Sequence, residues 1–172
     1  EITKFLKGLQ KIAFDFPYFV DDINIEVINK KLKGNFILYL LKDSDNLVSE
    51  SLAANISLRY NDTISVEKGL KKILDNLDNN KTQLYDGSGL SRYNLTQPSS
   101  IVSSLEKIDY YYDFETIREI FPNNYIITDT EAFVWGKTGT LKNNHNYSGY
   151  LTTDKGKRYV FSIMINHFTE DI

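Results

Sequence analysis

A chain of 172 residues, 41% hydrophobic and 13% aromatic, is long enough to bury one core and too short for two ordinary domains. Its formal charge of -3 gives no electrostatic basis for nucleic acid or an anionic membrane as partner, and basic stretches such as Lys30-Lys31-Leu32-Lys33 and Lys68 to Lys72 read as solvated surface. The absence of cysteine excludes disulfides, thiolate metal sites and a cysteine nucleophile, and His145 and His167 alone leave little for a histidine-based metal site or dyad.

In chain order, Ile2, Phe5, Leu6, Leu9, Ile12 and Ala13 recur at helical spacing and predict an amphipathic first helix. Between Phe14 and Gly34, Pro17 interrupts the pattern and Ile23, Ile25 and Val27 alternate as in a short strand. Phe36 to Leu41 is a compact apolar run, read as helical because Leu47 to Leu58 continues with Leu47, Ala54 and Leu58 on one face. Ser44-Asp45-Asn46 is then a break between two helical segments. Asn61-Asp62-Thr63 reads as a turn. A helix follows from Val66, capped by Ser65 and carrying Leu70, Ile73, Leu74 and Leu77.

After the polar Asp78-Asn79-Asn80 comes a glycine-rich loop, Asp86 to Gly89. A further helix is expected after Pro98 with Ile101, Val102, Leu105 and Ile108. A short one follows with Phe114, Ile117 and Phe121, stopped by Pro122. The last third changes period. Ala132 to Trp135 reads as a strand leading into Gly136 to Gly139. Tyr147 to Thr153 and Arg158 to His167 are β-rich, and Asp154-Lys155-Gly156-Lys157 is a hairpin turn signal. The expected fold is α+β, a layered α/β domain of helices packed on an antiparallel sheet. Its parts are an unassigned helical lead-in over 1–33, a mainly helical stretch over 34–131 and a three-stranded antiparallel meander over 132–168. No apolar run reaches 18 residues, so no transmembrane segment is expected. The chain opens on Glu1 rather than Met and reads as processed, cut or an expressed fragment, so the lack of a leader says nothing about compartment.

Two short stretches carry chemistry. In Trp135-Gly136-Lys137-Thr138-Gly139-Thr140 a lysine at a strand end stands between glycines that let a ligand approach the backbone. Its ammonium can hold a carboxylate or lower a neighbouring hydroxyl's pKa, and Thr138 and Thr140 offer hydroxyls on one strand face. An extended ligand could lie along such an edge. A P-loop is excluded, since the upstream glycine cradle and the following helix are missing. In Ser44-Asp45-Asn46, preceded by Lys42, the serine could shuttle a proton and the amide could hold a carbonyl or a lysine. The same triplet also suits a helix cap.

Ser-x-x-Lys, Ser-Asp-Asn and Lys-Thr-Gly together mark class A β-lactamases and penicillin-binding proteins. With Ser44-Asp45-Asn46-Leu47 and Glu50, the loop Asp86-Gly87-Ser88-Gly89-Leu90-Ser91-Arg92-Tyr93-Asn94, and Val134 to Leu141 running on through Tyr147-Ser148-Gly149-Tyr150 to Asn166-His167-Phe168, the chain resembles the S13-type D-alanyl-D-alanine carboxypeptidase/endopeptidase family of low-molecular-mass penicillin-binding proteins. The resemblance spans roughly residues 34–168. It implies part of a β-lactamase/penicillin-binding-protein transpeptidase-like fold and a serine-type activity on the D-Ala-D-Ala end or cross-link of peptidoglycan stem peptides. It further implies β-lactams as covalent inhibitors of an intact parent enzyme, a bacterial cell envelope location (periplasmic or extracellular), and neither a metal nor an organic cofactor.

On this sequence the resemblance gives Ser44 a role in proton transfer to the leaving amine, and Asn46 the orientation of substrate and catalytic lysine. Lys137, Thr138 and Gly139 become the carboxylate-binding wall. The backbone N–H of Thr140 becomes half of an oxyanion hole. Asp86, Ser91 and Arg92 belong to a supporting loop. The family's Ser-x-x-Lys precedes Ser-Asp-Asn, whereas residues 1–43 hold no serine. Ser65-Val66-Glu67-Lys68 and Ser104-Leu105-Glu106-Lys107 stand on the wrong side of Ser44. The chain is therefore expected to carry the C-terminal portion of a catalytic domain and to be inactive by itself. The alternative is a non-catalytic domain that binds peptidoglycan peptides or a protein partner.

Overall fold

The computed structural model describes residues 37, 40–77, 81–126 and 133–169. The expectations for residues 1–36, including the first amphipathic helix, lie outside the described residues, as do Asp78-Asn79-Asn80. The chain divides into two units, Glu1–Ile37 and Leu38–Ile172, and the sheet with its helices lies in the second.

Ile37, Leu40 and Leu41 are helical, as read. Ser44 then takes the left-handed conformation (φ 54°), and helix α1 runs from Asn46 to Asn61. Asp45 caps it by accepting from the Val48 N–H at 3.0 Å, and Asp62 closes it in the left-handed region. The face it buries differs from the expected one. Val48, Ser51, Ala53, Ala54 and Ser57 are buried, whereas Leu47 and Leu58 are 47% and 43% exposed. Helix α2 (Val66–Asp75) comes so close that a Cβ on its Gly69 would stand 1.7 Å from the Ala53 carbonyl oxygen. Only small side chains fit such a contact, so the leucines are turned out to its flanks. Ser65 caps α2 through the Lys68 N–H at 3.3 Å, as its position foretells.

Helix α3 (Pro98–Tyr111) starts on a proline whose missing N–H costs nothing in the first turn. Helix α4 (Phe114–Ile120) is capped by Asp113 and ends before Pro122. Both lie against a sheet of order β1-β2-β3-β4, antiparallel throughout. Its strands are β1 (Asn123–Ile126), β2 (Phe133–Leu141), β3 (Asn144–Thr152) and β4 (Arg158–Asn166). The three expected strands are thus joined by a fourth, β1, inside the stretch read as helical. Four residues after a proline are too few to show a period-2 pattern. The β3–β4 turn is where Asp154 to Lys157 place it, with Gly156 at φ 71°.

The core is Leu105, Ile117, Phe121, Trp135 and Tyr150, from α3, α4, β2 and β3. Phe114 meets Trp135 edge-on and Phe121 meets Tyr150 edge-on, each with ring centroids 5.3 Å apart. The Tyr150 hydroxyl donates to the Leu105 carbonyl at 2.7 Å, satisfying the one polar atom that this side chain brings inside. Arg158 on β4 reaches Asp109 on α3 at 3.2 Å. On the opposite face of the sheet Tyr159, Ile163 and Ile165 of β4 are 49–53% exposed.

Candidate active site

Lys137 is the middle residue of β2 rather than a strand-end lysine. The flanking glycine does not end the strand; it permits close approach. A Cβ at Gly136 would stand 2.7 Å from the Tyr147 ring, and one at Gly149, its partner on β3, would stand 2.0 Å from the Trp135 oxygen. Alternation puts Lys137 on the same face as Trp135, towards the helices. It is paired with Ser148, whose hydroxyl lies 2.8 Å from that of Ser162 on β4. The lysine Nζ donates to the Thr138 carbonyl at 2.7 Å. Partial burial holds its pKa below the usual lysine range, because desolvation disfavours the ammonium.

The opposite edge of β2 pairs with no described strand at this level. A two-residue turn, Lys142-Asn143, joins β2 to β3, so N–H and C=O groups of alternate residues point towards β3 and away from it. Gly136 belongs to the second set, since its N–H bonds the Pro122 carbonyl at 3.0 Å. Thr138 and Thr140 follow at the same parity, but β1 pairs with β2 only from Phe133 to Trp135. Their N–H groups therefore face an edge that no described strand covers. A Cβ at Gly139 would meet nothing within 4 Å.

Ser44 and Asn46 are exposed on either side of Asp45. Asp45 makes the cap, and neither neighbouring side chain bonds another described residue. Leu41, three residues earlier, packs against the core cluster and fixes this turn to the helix–sheet body. No hydrogen bond or ion pair among the described residues joins Ser44 or Asn46 to Lys137, Thr138 or Thr140.

The Asp86 loop touches both halves. The Asp86 carboxylate accepts from the Gly89 N–H at 2.7 Å, the Ser91 N–H at 2.6 Å and the Asn94 amide at 2.8 Å. Glu50 on α1 accepts from the Gly87 and Ser88 N–H groups at 3.2 and 3.4 Å. Arg92 donates to the Lys142 carbonyl in the β2–β3 turn at 3.0 Å. Ser88 and Ser91 close local turns by accepting from the Leu90 and Tyr93 N–H groups. Beneath the loop a cavity of about 310 Å³ is lined largely by Leu52, Ile56, Leu70, Ile73 and Leu84, away from Lys137. Ser65 caps α2 and Ser104 bonds back to the Ser100 carbonyl, so neither is placed as a nucleophile. Three neighbours were given no role at the site by the sequence. Ser148 and Ser162 behind Lys137, and His145 with Nδ1 2.8 Å from the Thr140 hydroxyl, emerge only from the strand register.

Residues 34–172 match the model of the D-Ala-D-Ala carboxypeptidase 3 (S13) family. The chain is 30% identical over 149 residues to the D-alanyl-D-alanine carboxypeptidase DacB of Haemophilus influenzae, covering 76% of this chain and 31% of that protein. It is 28% identical over 171 residues to the penicillin-sensitive carboxypeptidase A of Dictyostelium discoideum, covering 86% and 32%. The chain thus spans about a third of the length of these relatives. In structure it resembles penicillin-binding protein 4 of Haemophilus influenzae in complex with a β-lactam, with TM-score 0.66 and 28% identity over 80% of this chain and 36% of that one. A predatory endopeptidase of Bdellovibrio bacteriovorus, 14% identical at TM-score 0.60, shares the fold. So does the TLA-1 β-lactamase, 16% identical at 0.56.

Proposed function

We propose, from the premise that this chain belongs to the D-Ala-D-Ala carboxypeptidase 3 (S13) family, that it is the C-terminal portion of a serine-type D,D-peptidase domain acting on peptidoglycan stem peptides in the bacterial cell envelope. The fold is an α+β arrangement with helices on a small antiparallel sheet, a partial penicillin-binding-protein/β-lactamase-like fold. One observation carries the reading. No described strand covers the edge of β2 where a half-buried Lys137 and the Thr138 and Thr140 N–H groups stand together. A peptide laid along that edge takes main-chain hydrogen bonds from the strand. A carboxylate on it gives the poorly solvated ammonium the counter-charge that the surrounding strands lack.

In this reading Lys137 and Thr138 bind the terminal carboxylate. The Thr140 N–H stabilises the oxyanion of a tetrahedral intermediate. Asn46 orients the peptide, and Ser44 passes a proton to the leaving amine. Asp86, Ser91 and Arg92 hold the loop that braces both walls. The acylated serine with its lysine lies outside these 172 residues, for residues 1–43 hold no serine and the later Ser-x-x-Lys strings are spent on helix geometry. A hydroxyl without such a partner is a poor nucleophile, so the chain alone does not turn over.

The test is covalent labelling of the full-length gene product with a fluorescent penicillin. Labelling that disappears when one serine upstream of Ser44 is replaced supports the peptidase. Folded full-length protein that takes no label overturns it. It would favour the second reading, a non-catalytic domain that binds peptidoglycan peptides or a protein partner, for which the serine-free stretch 1–43 is the supporting observation.

A further inference from the structure

We propose that His145 sets the specificity and pH response of the β2 edge by deciding whether Thr140 presents a hydrogen or a lone pair to a bound carboxylate. The inference rests on the peptide-binding reading above and concerns a residue that none of the three motif stretches uses for chemistry. Thr140 and His145 are directly opposed across β2 and β3. The two-residue turn makes them a non-hydrogen-bonded pair, the kind whose side chains lie closest. Their polar atoms are in contact, Thr140 Oγ1 to His145 Nδ1 at 2.8 Å. Both lie on the face that also carries Thr138, two residues along the candidate carboxylate-binding wall.

The chemistry of this pair has two states. A neutral ring with its proton on Nε2 accepts from Thr140, so the hydroxyl hydrogen is occupied and only lone pairs face a ligand. Those repel a carboxylate. An imidazolium donates from Nδ1 instead, and the Thr140 hydrogen is released to donate outward, with a positive charge behind it. Acid therefore converts the end of the wall from an acceptor into a donor.

The surroundings make a ligand the natural counter-charge. On β4, His145 faces Ile165. Strands β2, β3 and β4 contain no Asp or Glu, while Lys137 and the turn residue Lys142 add positive charge. Arg92 occupies the Lys142 carbonyl, and the His167 N–H bonds the Asn143 carbonyl at 2.7 Å. No carboxylate on these strands or on the β2–β3 turn is available to neutralise an imidazolium here.

The experiment measures equilibrium binding of N-acetyl-D-Ala-D-Ala, with its C-terminal amide as control, to the full-length gene product, its acylated serine replaced by alanine to prevent turnover, at about pH 5.5 and pH 8, the span over which histidine changes charge. Wild type is expected to bind the acid about tenfold more tightly at the lower pH, the worth of one charge-assisted hydrogen bond, and to show no such preference with the amide. His145→Phe, which leaves the Thr140 hydrogen unoccupied and brings no charge, should bind with an affinity between the two wild-type values and a pH ratio near unity. His145→Gln, whose amide donates at every pH, should recover the acid-side affinity at both values. A ¹⁵N spectrum of His145 should show Nδ1 protonated only on the acid side. Equal affinity at the two pH values, or a neutral ring already protonated on Nδ1, overturns the role of His145 and leaves the peptide-binding reading standing. No binding by wild type or by the glutamine variant at either pH overturns that reading, and this inference with it.

Discussion

Replacing Tyr150 by Phe isolates one hydrogen bond in the middle of the core. The ring is 2% exposed and touches Phe121, and its hydroxyl donates to the Leu105 carbonyl at 2.7 Å. That carbonyl lies inside α3 and keeps its helical partner four residues on, so the variant does not strand it. Phe fills almost the same space, so the cavity term is small. The expected loss is the net worth of a neutral hydrogen bond, about 1 kcal/mol, or about 2–4 °C in Tm for a chain of this size. Truncation to Ala would cost about 3–5 kcal/mol by comparison.

The same site supplies a pH test. Burial, reinforced by the Asp109 charge, raises the Tyr150 pKa well above the ordinary phenol value of 10.0. A raised folded-state pKa means stability that is complete below the unfolded value and is lost as pH climbs towards the folded one. The wild type should therefore lose its lead over Tyr150→Phe above about pH 10. Urea midpoints of both proteins at neutral pH and at about pH 11 read this directly. A variant as stable as wild type at neutral pH, or a gap unchanged at high pH, would refute the assignment.

Gly149→Ala pushes a methyl into the Trp135 and Gly136 backbone; neither can retreat without parting β2 from β3, so a loss of about 3 kcal/mol or more is expected in denaturant unfolding or soluble yield. Glu50→Ala should speed amide exchange at Gly87 and Ser88 by roughly tenfold through loss of the bonds to α1, leaving β2–β3 amides unchanged. Lys137→Met should raise stability near neutral pH while abolishing carboxylate binding. The wild-type lysine is desolvated with its pKa lowered, so its charged form opposes folding below the folded pKa and is relieved towards the ordinary value of 10.5. A less stable Lys137→Met chain would argue against that burial cost.

Elements that announce themselves locally were legible in the sequence. Ser65 before Val66, Pro98, Pro122 and the Asp154 to Lys157 turn each act on their own neighbours, and the structure places α2, α3, α4 and the last hairpin accordingly. The buried face of α1 was misread because it depends on a partner. Gly69 of α2 demands small residues opposite it, and apolar spacing cannot express that. Strand β1 was missed because its own four residues carry no period and its pairing with Phe133 to Trp135 shifts register between Asn123 and Tyr125. At the site, the Lys-Thr-Gly and Ser-Asp-Asn stretches stood out as strings. The edge that no described strand covers, the serine pair behind Lys137 and the Thr140–His145 contact are products of register, in which a two-residue turn decides who faces whom.

The outer face of β4 has a consequence for handling the chain in solution. Tyr159, Ile163 and Ile165 form an apolar row on the strand that ends the sheet among the described residues, with only Arg158 bearing charge along its nine residues. A strand ending a sheet invites further strands, and little charge repels them here. Colloidal behaviour should therefore depend on salt type. Sulfate, which strengthens apolar association, should drive the chain into oligomers at concentrations where dilute urea keeps it dispersed. A single lysine at Ile163 would turn that row from a template into a barrier.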